Sequence, residues 1–120
     1  MQFMFLVKAN ADSEAGRLPN EEFMAAMGES VQRAFESGVM VAAGGLRPSS
    51  EGARVSLTGG KVTVVDGPFT ETKELVGGWA IMELESREAA IEAARDFVEM
   101  HRTYLGDSYE IQTEVRQVQA

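Results

Sequence analysis

The stretch of the chain richest in chemistry is Asp66-Gly67-Pro68-Phe69-Thr70-Glu71-Thr72-Lys73-Glu74, which sets three carboxylates and a lysine around a stiff Gly-Pro turn. Asp66 is the candidate catalytic residue, a general base or ligand anchor, because crowding by Glu71 and Glu74 can raise a carboxyl pKa toward the working range. Lys73 can equally neutralise them. The structural alternative for Asp66 is an Asx turn, its carboxylate accepting a backbone N–H two residues on. Lys8 ends an apolar run and Arg47 follows Gly44-Gly45, so either can hold an anionic substrate group, the plainer reading being snorkelling surface charge. Trp79 offers a flat apolar wall to a ligand, or an anchor at an interface. The expected site is Asp66 for catalysis, with Lys8, Arg47, Glu71, Lys73 and Trp79 for substrate binding.

Composition removes most other chemistries. The 120 residues include no cysteine and one histidine, so thiolate nucleophiles, disulfides and Cys-ligated metals are excluded and a multi-His metal site is not expected. The acidic cluster lacks an Asp-x-Asp-x-Asp-Gly loop, so no metal is expected there. None of the Gly-Gly pairs opens a helix in a G-x-G-x-x-G frame, and no nicotinamide, flavin or haem is expected. A net charge of -8 with only three lysines gives no footprint for nucleic acid or anionic lipid. The short apolar start, residues 3–7, follows no basic segment and reads as a strand rather than a signal peptide. No run approaches the roughly 20 apolar residues of a membrane span, so a cytoplasmic location is expected. His101, near a helix end, reads as solvent-facing or stabilised by the helix dipole, and residues 99–108 match no motif.

The elements that must position these residues follow from periodicity. Residues 3–7 are a continuous apolar run, a strand covered on both faces. Residues 10–18 read as a loop. Asn20 can cap a helix whose stripe is Phe23, Met27, Val31 and Phe35, with Gly38 as its left-handed stop. Residues 39–43 give a second buried strand. Val55 and Leu57, then Val62 and Val64, alternate with polar residues about Gly59-Gly60, a β-hairpin. Residues 79–83 form a further strand, Ser86 caps a second helix with Ala90, Ile91, Ala94, Phe97 and Val98 facing inward, and residues 109–116 alternate as a last strand with one wet face. One domain over residues 1–120 is expected, α+β and ferredoxin-like, in the order β-α-β-(hairpin)-β-α-β.

Two helices cover only one side of such a sheet, yet the strands at 3–7, 39–43 and 79–84 carry apolar side chains on both. With roughly 1.5–3 kcal/mol for each large apolar side chain buried, a bare face would forfeit an amount comparable with a domain's stability of about 5–15 kcal/mol. The simplest cover is a second copy, a homodimer with facing sheets and a ligand pocket between them; the alternative is the 39–65 region folding back.

The DGPFTETKE segment followed by Gly77-Gly78-Trp79 resembles the hallmark of the DGPF group within the YCII-related family. The likeness extends to Lys8, the Asp12-Ser13-Glu14-Ala15-Gly16 loop, Gly44-Gly45-Leu46 with Pro48-Ser49, and residues 114–118. It implies a ferredoxin-like fold of the dimeric α+β barrel type and a cleft that binds or transforms a small molecule. Genes of this group often accompany extracytoplasmic-function sigma factors, so the resemblance also leaves a regulatory role open. Some YCII-type relatives carry a histidine in the first helix, proposed with an aspartate as an acid-base dyad; residues 21–37 contain none here. Two functions are therefore expected to compete: a small-molecule-binding homodimer acting as an acid-base enzyme (isomerase, lyase or hydrolase) on a polar or carboxylated metabolite, and a non-catalytic regulatory or interaction module docking a basic partner.

Overall fold

The computed structural model describes residues 1–119. The elements run β1 (Gln2–Lys8), α1 (Ala11–Glu14), α2 (Glu21–Glu36), β2 (Met40–Gly45), β3 (Ala53–Thr58), β4 (Lys61–Asp66), β5 (Val76–Glu83), α3 (Arg87–Leu105) and β6 (Thr113–Gln117), with 3-10 turns at Ser49–Glu51 and Thr72–Glu74. Their ends are set by local chemistry. Asn20 accepts from the Phe23 N–H and Ser86 from the Ala89 N–H, each satisfying a helix N-terminal donor. Gly38 follows α2 with φ 82°, a conformation that costs glycine little. Asn10 and Ser13 form a reciprocal capping box, so the loop expected over residues 10–18 contains the one-turn helix α1. The last strand is shorter than expected: β6 begins at Thr113, and residues 109–112 are irregular.

The main sheet is antiparallel with order β2-β5-β1-β6, so β1 and β5 are interior and β2 and β6 are edges. Phe3 and Phe5 project toward the helices and pack with Ala90 into the core, where Ala80, Met82, Ala93, Ala94 and Val115 join them. Ala90 is fully buried. Three alanines of α3 thus lie against the sheet, and their small side chains let the helix approach closely. Helix α2 behaves differently. Of its apolar stripe only Phe23 is buried, Phe35 is 43% exposed, and Met27 and Val31 are half-buried. The stripe expected to face a closed core instead faces an open cleft.

On the other side of the sheet, Met4, Leu6, Trp79 and Ile81 remain partly accessible. Among the described residues no element is layered over them, and β3 and β4 pair only with each other, in a separate two-stranded sheet. The expected ferredoxin-like unit of the dimeric α+β barrel type is therefore corrected: this is a single chain with a mixed α+β fold of two sheets that do not close. Closure needs an unbroken ladder, and here β2 and β6 are free edges while the hairpin pairs with neither. The 39–65 region does not fold back over the bare face. The hairpin instead stands out from the body, every residue from 53 to 66 being exposed. Val55 lies opposite Val64 and Leu57 opposite Val62, which makes one of its faces an apolar strip in contact with water.

Candidate functional site

The DGPF segment sits at the base of the hairpin. Asp66 is the last residue of β4, opposite Ala53, and its carboxylate is exposed. An Asx turn there is ruled out by the covalent structure: the residue two positions on is Pro68, which has no N–H to donate. Gly67 is required by crowding, since a Cβ at that position would overlap the Ser49 carbonyl. Ser49 is itself tied on both sides. Its N–H donates to Glu14 at 2.9 Å, its hydroxyl donates to the second oxygen of the same carboxylate, and the Phe69 N–H donates to that hydroxyl oxygen at 3.1 Å. Glu14, Ser49 and the segment 67–69, far apart in sequence, thereby form one knot. Phe69 lies under the Arg54 guanidinium, 4.0 Å from the ring centroid, and Arg54 reaches Glu71 at 3.7 Å. Glu71 is thus paired with Arg54 rather than Lys73, which is exposed on the Thr72–Glu74 turn.

The other expected site residues lie elsewhere. Arg47 is exposed and pairs with Glu51 at 3.0 Å, a contact that raises the already high guanidinium pKa through a hydrogen bond and charge attraction. Lys8 stands at a bulge ending β1 and pairs with Glu114 at 3.4 Å. The Trp79 indole lies flat over Gly44 of the adjacent strand, where a Cβ would come within 3.1 Å of Nε1. Of the six residues, Lys8 and Trp79 border the large cleft of the molecule, Trp79 from a strand position whose side chain alternates to the other face of the sheet; Asp66, Glu71, Lys73 and Arg47 do not.

That cleft, about 690 Å³, opens between the stand-off helix α2, the helix-facing side of the sheet and α3. Met27, Val31, Ala43, Met82, Phe97 and Met100 make its apolar walls. At one end the surroundings become polar. His101 lines this end and is 6% exposed, with its ring centroid 4.6 Å from both Phe23 and Phe97 and stacked on Tyr109 at 5.8 Å. Its Nδ1 lies 2.8 Å from the Phe97 carbonyl oxygen. Tyr109 Oη accepts from Asn10 Nδ2 at 2.8 Å. Burial pushes the imidazole pKa below 6.5, a shift partly offset by the bond to the Phe97 carbonyl. The expectation of a solvent-facing or dipole-stabilised histidine is corrected accordingly. Its signal was present in the sequence, since His101 continues the inward spacing of Ala90, Ala94 and Phe97 by one more helical step.

No group of three His, Asp or Glu side chains arranged to hold a metal ion occurs among the described residues. Likewise, none of their helices is long and apolar enough to cross a membrane. Residues 1–111 match the family model of the YCII-related domain. The chain belongs to the YCII-related family. No curated protein matches it by sequence. Three segments far apart in the chain, residues 12–16, Pro48-Ser49 and residues 66–74, meet in the Glu14–Ser49–Phe69 knot.

Two predictions follow from this geometry. Gly67→Ala should lower stability by about 1–3 kcal/mol through overpacking against Ser49; an unchanged urea midpoint would show that the turn has room to relax. For His101, a folded pKa below the unfolded 6.5 means the unfolded chain binds more protons in the intervening range. Its contribution is therefore complete above that value and lost as pH falls through the folded one. Urea midpoints measured from about pH 8 to pH 5 should drop more steeply in the wild type than in His101→Gln, and parallel curves would contradict the burial argument.

Proposed function

We propose that this YCII-related protein is a small-molecule-binding homodimer whose ligand occupies the cleft between α2, α3 and the sheet. The supporting observation is the cleft itself: about 690 Å³ of apolar-walled space with a few polar groups gathered at one end, the usual anatomy of a ligand site. The same anatomy favours a ligand with an apolar body. Within the family we assign the chain to the DGPF group, on residues 66–74 and the knot they form.

The homodimer rests on a separate observation. A two-stranded hairpin is at best marginally stable alone in water, yet β3–β4 carries Leu57 at 74% and Val62 at 71% exposure. The uncovered side of the main sheet, with Met4, Leu6 and Ile81, is the apolar surface left without a layer. Because each chain owns both surfaces, the hairpin strip of one copy can rest on the bare sheet face of another and receive the reciprocal contact, a closed two-fold arrangement.

For the cleft, titration calorimetry with 2-methoxynaphthalene as an apolar probe should give one saturable site per chain. Ala43→Phe, which adds volume from the exposed edge strand into the cleft, should abolish it with little change in melting temperature; binding indifferent to that substitution would refute the cleft as the site. For the assembly, sedimentation of the wild type should give a dimer and Leu57→Lys/Val62→Lys a folded monomer. A monomeric wild type would remove the homodimer from the proposal.

A further inference from the structure

The polar end of the cleft has a chemistry fixed by its own hydrogen bonds. A carbonyl oxygen only accepts, so the 2.8 Å contact from His101 Nδ1 to the Phe97 carbonyl assigns the ring proton to Nδ1. Burial keeps the imidazole neutral. Nε2 is then a bare lone pair, with no hydrogen-bond partner among the described residues, on a ring that is 6% exposed and lines the cleft. Beside it, the stacked Tyr109 uses its oxygen to accept from Asn10, which leaves its own O–H proton free to donate. An acceptor and a donor are thus carried by two stacked rings that both line the apolar chamber. Thr113, whose buried Oγ1 has no hydrogen-bond partner among the described residues, also lines this space.

We propose that this end of the cleft recognises a hydroxyl group, that of a phenol or an alcohol on an apolar ring or chain, whose O–H donates to His101 Nε2 while its oxygen accepts from the Tyr109 hydroxyl. The assignment rests on the reading of the cleft as a ligand site. A hydroxyl is both donor and acceptor, and so satisfies both groups. A carboxylate anion satisfies only one, because it would set negative charge against the Nε2 lone pair, with Asp96 also lining the cleft. An ether satisfies only the tyrosine. The specificity is of the kind in which a buried polar group left unpaired by the wrong ligand carries the discrimination.

The test is a matched pair of probes, 2-naphthol and 2-methoxynaphthalene, titrated into the full chain at neutral pH. The naphthol should bind about tenfold more tightly to the wild type, equivalent to about 1.4 kcal/mol. That ratio should fall toward unity in His101→Phe, and several-fold in Tyr109→Phe, which removes only the hydroxyl. The wild-type ratio is readable even where a histidine variant fails to fold. Equal affinity of the two probes, with binding still abolished by Ala43→Phe, overturns the hydroxyl assignment and leaves the cleft standing. Absence of binding by either probe overturns both.

Discussion

The structure depends on the pairing of two interior strands whose side chains are apolar on both sides. β1 lies between β5 and β6, and β5 between β1 and β2, so neither can turn an edge or a face harmlessly to water. Alternation along β1 sends Phe3 and Phe5 to one side and Met4 and Leu6 to the other. The chain has helices for the first side only. The rest of the molecule is a response to that imbalance, with a close helix, a distant helix, and an apolar hairpin that finds no place on its own sheet.

The two helices differ because their inward residues differ in size. Alanines at 90, 93 and 94 let α3 settle onto Phe3 and Phe5. Helix α2 brings phenylalanines, methionine and valine, and is held at its N-terminal end, where Phe23 packs on His101 and Asn20 donates to the Tyr104 carbonyl. Its remaining stripe stands away from the sheet, and the gap is the cleft. One cluster therefore serves as both anchor point and polar end: the ring of His101 that supports Phe23 also lines the space beneath α2.

Much of the local structure was legible in the sequence. The caps at Asn20 and Ser86, the glycine stop at 38 and the Gly59-Gly60 turn are short-range devices, and short-range devices can be read from neighbouring residues. The failures have a common cause in long-range geometry. Barrel closure depends on whether hairpin strands join the main sheet, which alternation within each strand does not determine. The gap under α2 depends on the relative bulk of two helices. The burial of His101 follows from its place on the inward stripe of α3, a signal that its position near the helix end masks. The Asx turn failed for a simpler reason, since a proline two residues after Asp66 removes the donor, and that was visible in the sequence itself.

The DGPF segment shows how a run of charged residues can mark a fold's joint instead of its chemistry. Gly67 is there because the Ser49 carbonyl occupies the space of a side chain, and Phe69 because its ring supports Arg54 while its N–H reaches the Ser49 hydroxyl. Glu14 completes the joint from the far side of β1, so the hairpin base is fixed to the end of an interior strand through α1. The charged residues of the segment lie outside this knot, exposed or paired at the surface. An apolar hairpin held at a fixed angle from the body pre-pays the ordering cost of contact with another surface, whereas a loosely tethered one would bear it on binding. The rigidity of the joint therefore matters to what the hairpin meets, while the polar end of the cleft, built from Asn10, His101 and Tyr109, draws on none of the motif's residues.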